Sequence, residues 1–169
     1  MPVMNGGECC AKIRSLPGGA NVPIIGVTAH DDKEEMGRFL DNGMNGCLTK
    51  PVNAKQLKRV LNRFTGDVAG AAVYTKKNWM EVVHSKKPPP EKARILVVED
   101  NLMIQSVMRS LLKRLKYENV SVCNNGREAI SAVSADSYDI IFMVMTPLSL
   151  SLLSLSLCSF GRVEEETVK

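Results

Sequence analysis

The sequence predicts an α/β fold in which helices cover both faces of a parallel sheet. Two observations carry this. The runs "PIIGV", "RILVV" and "DIIFMV" are apolar throughout, the pattern of strands buried on both sides rather than half-exposed ones. Between them lie segments with apolar residues at helical spacing, so the order reads α-β-α-β-α, a linker, then β-α-β-α-β. A chain of 169 residues is long enough for one domain of ordinary size with its own core.

Taken in order, Asn5 to Leu16 reads as a short helix with Cys9, Ile13 and Leu16 on one face, ended by "PGG". "VPIIGVTAH" is the first strand, its apolar run reaching a hydroxyl at Thr28. Asp31 or Asp32 caps the next helix, which has acids in its first turn and Gly43 closing it. "GCLTKP" is a short strand, and Asn53 caps a helix striped by Leu57, Val60, Leu61 and Phe64. Residues 66–93, with small residues, one Trp and a polyproline tract, read as a linker with room for a short helix at 78–83. Trp79 is read there as packing on a neighbouring surface rather than binding a base or sugar.

Regular structure resumes at "RILVVED". The helix after it is striped by Ile104, Val107, Met108, Leu111, Leu112 and Leu115; "VSVC", "NGREAISAVSA" and "DIIFMVM" follow as strand, helix and strand. The central position in the sheet is expected for Ile140–Met143, between Ile95–Val98 and Ile24–Val27. Residues 148–169 begin as a Leu/Ser run too short and too rich in serine to span a bilayer. They are read as an appended tail, disordered or weakly helical, with an aggregation hazard because no charge appears before Arg162.

Composition excludes several functions. Hydrophobic residues make up 44% and the net charge is only +4. Between Tyr74 and Arg94 stand six Lys and Arg against two Glu, which accounts for the whole excess. A charged linker explains that run better than a nucleic-acid surface, which gathers basic residues on a folded face. The five cysteines show no CxxC spacing, and neither His30 nor His84 has partners at metal-binding spacing, so zinc is not expected. No secretory signal opens the chain, and a reduced, cytoplasmic protein is the expectation.

Three groups of residues in mutually consistent positions carry a family resemblance. "ILVVEDN", "NNGREAI" and "YDIIFM" form one set, "MPVMNG" a second, and "PIIGVTA" with "GMNGCLTKP" a third. Together they resemble the response-regulator receiver domain of hybrid histidine kinases, with its halves in reversed order. Residues 94–147 resemble its N-terminal half and residues 1–65 its C-terminal half, joined by 66–93. The resemblance implies a receiver-like (flavodoxin-like) doubly wound sheet of five parallel strands in the order 2-1-3-4-5, circularly permuted. A linker of 28 residues spans about 30 Å root-mean-square, enough to join the two halves within one chain. A domain-swapped homodimer, or two half-domains that never complete a core, are the alternatives.

The resemblance also assigns roles. Transfer of a phosphoryl group from histidine to aspartate needs a carboxylate nucleophile, a divalent cation and fixed donors around the moving group. Glu99 and Asp100 match the acidic pair that holds Mg²⁺, Thr28 the hydroxyl that binds a phosphoryl oxygen, and Lys50 the lysine that pairs with it. The bond from Lys50 to Pro51 is typically cis in this family. Taken singly, the acidic pair reads equally as a helix cap and "TKP" as an ordinary turn. Setting "DIIFMVM" on the family's third strand puts Val144 where the phosphoacceptor aspartate belongs. Asp139 is no substitute, because five strand residues place it roughly 16 Å away. Cys47 replaces the usual switch aromatic.

The expected function follows from these departures: a receiver-like phosphorelay module that accepts no phosphoryl group, is not an enzyme and at most binds Mg²⁺ weakly. Its expected partner is a histidine kinase or histidine phosphotransfer domain, engaged through the helix Asn101 to Leu115 as a decoy. No nucleic acid and no membrane span are expected. Two alternatives remain open: a truncated or misassembled fragment of a hybrid histidine kinase, and a weakly active phosphoacceptor.

Overall fold

A computed structural model describes residues 4–29, 33–64, 73–75, 78–81 and 88–145. The expected caps Asp31 and Asp32, most of the linker and the whole 148–169 tail lie outside the described residues.

Among the described residues, five helices and seven strands follow one another as α1 (Gly6–Ser15), β1 (Ile24–Thr28), α2 (Lys33–Asp41), β2 (Gly46–Thr49), α3 (Ala54–Phe64), β3 (Val73–Thr75), β4 (Asn78–Glu81), β5 (Ile95–Val98), α4 (Leu102–Arg114), β6 (Val120–Cys123), α5 (Gly126–Ala135) and β7 (Ile140–Val144). Five strands make one sheet in the order β2-β1-β7-β5-β6, every pair parallel. Counted from β5, this is the order 2-1-3-4-5, and β7 occupies the centre as expected. Each central strand is buried along its whole length, which is why its sequence has no polar alternation.

Alternate strand residues feed two cores. Ile24, Leu96, Val98, Ile141 and Met143 pack with Cys9 and Ile13 of α1, Phe39 of α2 and Ala129 of α5. Ile25, Val27, Ile95, Val97, Phe142 and Val144 pack with Leu57 and Leu61 of α3 and with Met108 and Leu112 of α4. The period-two alternation of the pleat thus distributes one apolar run between two helical layers.

Local chemistry fixes the helix ends. Asn5 closes a capping box on α1, accepting from Glu8 N at 2.8 Å while its own N–H donates to the Glu8 carboxylate. Asn53 and Gln56 make the equivalent exchange at α3. Gly43, at φ +87°, ends α2: its N–H donates to Leu40 O and that of Met44 to Phe39 O, the paired bonds of a left-handed cap that favours glycine.

Two expectations are corrected. Asn78–Glu81 is a strand paired antiparallel with Val73–Thr75, not a helix at 78–83. Six residues are too few to sustain a helix by themselves, and Val73, Tyr74 and Thr75 are strand-favouring types. Val107 is 49% exposed rather than part of the buried stripe of α4. The stripe centres on Met108 and Leu112, and a residue one step from Met108 lies about 100° round the helix, off the sheet-facing side.

Candidate functional site

The parallel register brings the family-matched residues to one rim of the sheet. Val98 pairs with Met143, which sets Glu99 at the level of Val144. Val144 pairs with Val27 and Thr28 with Thr49, so Thr28 and Lys50 follow at the carboxyl ends of β1 and β2. Such rims are where open parallel α/β sheets hold ligands. Thr28 is fully buried and Glu99 is 1% exposed, whereas Asp100, the first residue beyond, is exposed.

Glu99 is the hub of the rim. Its Oε2 pairs with Lys50 Nζ at 3.3 Å, and its Oε1 accepts from Asn101 N at 3.1 Å. Its backbone carbonyl accepts from Gln105 Nε2 at 2.6 Å, and the same amide also donates to Asn124 Oδ1. Burial raises the Glu99 carboxyl above the usual carboxylate range, with the Asn101 N–H and the Lys50 charge opposing it. For Asp100, burial is the largest single influence and opposes ionisation, but the hydrogen bond with Glu99 and further charge and hydrogen-bond contributions together hold this carboxyl below its ordinary value.

Val144, 7% exposed, closes β7 on the side facing α3 and α4, and offers neither charge nor ligand. Asp139 sits at the other end of that strand, where its Oδ2 accepts from Arg94 N at 2.7 Å. The Lys50–Pro51 peptide is cis. Cys47, half-buried in β2, has its thiol pushed up by burial. Among the described residues no group of three His, Cys, Asp or Glu is arranged to hold a metal ion. An exposed carboxylate beside a buried one nonetheless fits a hard divalent cation that keeps most of its water.

Sequence reasoning missed two residues here. Asn101 caps α4, its Oδ1 accepting from Met103 N and Ile104 N, so the cap is the residue after the acidic pair and not the pair itself. Gln105 ties Glu99 to Asn124, which lies 19 residues beyond Gln105, and no local signal exists for this.

With this geometry in hand, the response regulator receiver domain family matches residues 1–62 and 95–146, more than half of the chain, and the chain belongs to that family. Relatives include a hybrid signal transduction histidine kinase I of Dictyostelium discoideum, 41% identical over 64 residues. The match covers 37% of this chain and 4% of that protein. Sensor histidine kinase RcsC of Salmonella typhi is 44% identical over 61 residues, 36% of this chain and 6% of its own. Probable histidine kinase 1 of Oryza sativa subsp. indica is 45% identical over 56 residues, 33% of this chain and 6% of its own. The chain thus spans a small fraction of these relatives' length, and what it shares with them is a receiver domain of the two-component phosphorelay type. No helix among the described residues is long and apolar enough to cross a membrane.

Proposed function

We propose that this chain is a permuted receiver that engages a phosphorelay partner without accepting a phosphoryl group. One observation carries the reading: Val144 ends the central strand at the level of Glu99, while Lys50 is already paired with that glutamate. A side chain without a nucleophile cannot form an acyl phosphate, and a lysine engaged by a buried carboxylate is not held for an incoming phosphoryl group. The reversed order of the halves is supported by the sheet, which takes β1 and β2 from residues before the linker and β5, β6 and β7 from residues after it.

The face offered to a partner is the start of α4. Leu102 and Met103 are 74% and 77% exposed and Val107 49%, an apolar cluster beside the rim. Large apolar side chains held in water at the first turn of a capped helix suit docking against a histidine kinase or histidine phosphotransfer domain. Glu99 and Asp100 would hold Mg²⁺, which supplies positive charge to a transferring phosphoryl group. With valine in the acceptor position the site has one carboxylate fewer and the cation binds weakly. The protein acts as a decoy rather than an enzyme, in the reducing cytoplasm suited to the four free thiols among the described residues.

Incubation with a radiolabelled phosphohistidine donor tests this. The expected result is no label on the chain and slower labelling of an intact receiver present in the same reaction. Replacing Leu102 and Met103 by Ser should remove that competition. Label on Asp139 or on any other residue of the chain defeats the silent reading, and undiminished labelling of the intact receiver defeats the decoy role.

A further inference from the structure

A cavity of about 160 Å³ lies at the sheet edge, where α2 and α3 meet across β2. Of the residues described with the rim above, Cys47 alone also lines it. Met36, Phe39, Leu40, Val60 and Phe64 make most of its wall, with Gly46 and Cys47 of the edge strand between them. The sheet edge itself explains the gap. Among the described residues β2 pairs only with β1, and no further strand fills the space between the two helices that flank it. Gly46 widens it, for a Cβ built there meets only Ile25 Cδ1, at 3.8 Å.

Among the described residues the wall has two polar side chains, Asn45 and Arg63, and both can donate there. Asn45 is fixed by its oxygen, which accepts from Arg14 Nη2 at 2.7 Å and Ile24 N at 2.9 Å, so its amide NH₂ is the group left at the wall. Arg63 holds its guanidinium 5.5 Å from the centroid of Phe64, a permanent cation over an aromatic face. An apolar space of this size accepts a single ring: cavities of about 150 Å³ lined by aliphatic and aromatic side chains stay dry and take up benzene. Donors at the wall, one of them charged, select a ring that carries an anionic acceptor.

We propose that this edge cavity binds a small aromatic monocarboxylate, its ring between Phe39, Leu40 and Val60 and its carboxylate toward Arg63 and Asn45. The site is independent of the phosphorelay reading. It involves none of Val144, Glu99 and Lys50, on which that reading rests.

Titration of the full chain with benzoate, followed by amide chemical shifts, tests it, with benzyl alcohol as the neutral isostere. Saturable shifts are expected at Leu40, Gly46 and Cys47, half-complete on the order of a millimolar benzoate for a ligand so small. Benzoate should bind about tenfold more tightly than benzyl alcohol, the range of one charge-assisted hydrogen bond. Arg63→Gln should reduce that preference to within about twofold, and Gly46→Val, which fills the space, should weaken both ligands about tenfold. If Gly46→Val does not fold, Gly46→Ala serves, with a smaller weakening in the same direction. Equal affinity for the two ligands, shifts undiminished by filling at Gly46, or no saturable shift overturns the proposal.

Discussion

Replacing Val144 by aspartate puts a carboxylate at the acceptor position and disturbs the rim in a way that can be worked through. Val144 is 7% exposed and packs with the α3–α4 core, so losing its burial costs about 1.5 kcal/mol. The new charge stands at the level of Glu99 and next to Asp100, while Lys50 is committed to Glu99 at 3.3 Å. A carboxylate placed there without a partner costs about 2 kcal/mol more. Val144→Asp is therefore expected to lose about 3–4 kcal/mol at neutral pH without divalent cations, read from urea unfolding followed by far-UV circular dichroism. Mg²⁺ at ten times its Kd should restore about 1.4 kcal/mol in the variant, by binding the folded state alone, and clearly less in the wild-type chain. Phosphoryl uptake from acetyl phosphate, seen by intact mass, should be absent in the wild type and slow in the variant. Recovery stays partial because "MTPLSLS" follows position 144 where the family's loop continues into a segment like "MPVMNG", and small misplacements of a nucleophile cost large factors in rate. A variant as stable as the wild type and indifferent to Mg²⁺ would refute the placement of Val144 at the head of an acidic rim.

Two further outcomes concern stability. Arg14 on α1 makes five hydrogen bonds, to Gly19 O, Val22 O, Asn45 Oδ1 and twice to Gly43 O. Arg14→Met leaves those partly buried acceptors unmatched and should cost about 3 kcal/mol by urea unfolding; a loss under about 1 kcal/mol would show that water replaces the guanidinium. Burial pushes the Cys9 thiol up to about 12 and the Cys10 thiol up to about 11, from an ordinary value of 9.0. Both groups are raised on folding, so their contribution is complete below pH 9 and is lost as pH climbs toward those values. Stability should fall by about 1 kcal/mol per pH unit per thiol above pH 9, and Cys9→Ala should remove about half of that slope. An unchanged slope in the variant would mean that Cys9 ionises in the folded protein as readily as in the unfolded one.

What the sequence by itself determined about this protein is whatever short segments encode. The strands were legible because residues buried on both faces leave no polar alternation, as in Ile95–Val98 and Ile140–Val144. Helix ends were legible where a cap acts within a few residues, as at Asn53 and Gly43. The motifs around Thr28, Lys50, Glu99 and Asp100 were legible as a set because each follows a strand at its carboxyl end.

Tertiary structure alone decided how those pieces act on one another. Lys50 and Glu99 stand 49 residues apart, and only the parallel register brings them together and fills the rim with an internal ion pair. Val107 carries the apolar signature of its stripe, yet which arc of α4 meets the sheet depends on the helix's rotation against β5 and β7. Asn101 took the capping role that the acidic pair had seemed able to fill. The cavity beside Gly46 has no sequence signal at all, because it is the space between two helices at an edge where the sheet ends. Periodicity and caps are properties of neighbours along the chain, whereas ion pairs, exposure and cavities belong to surfaces that folding brings face to face.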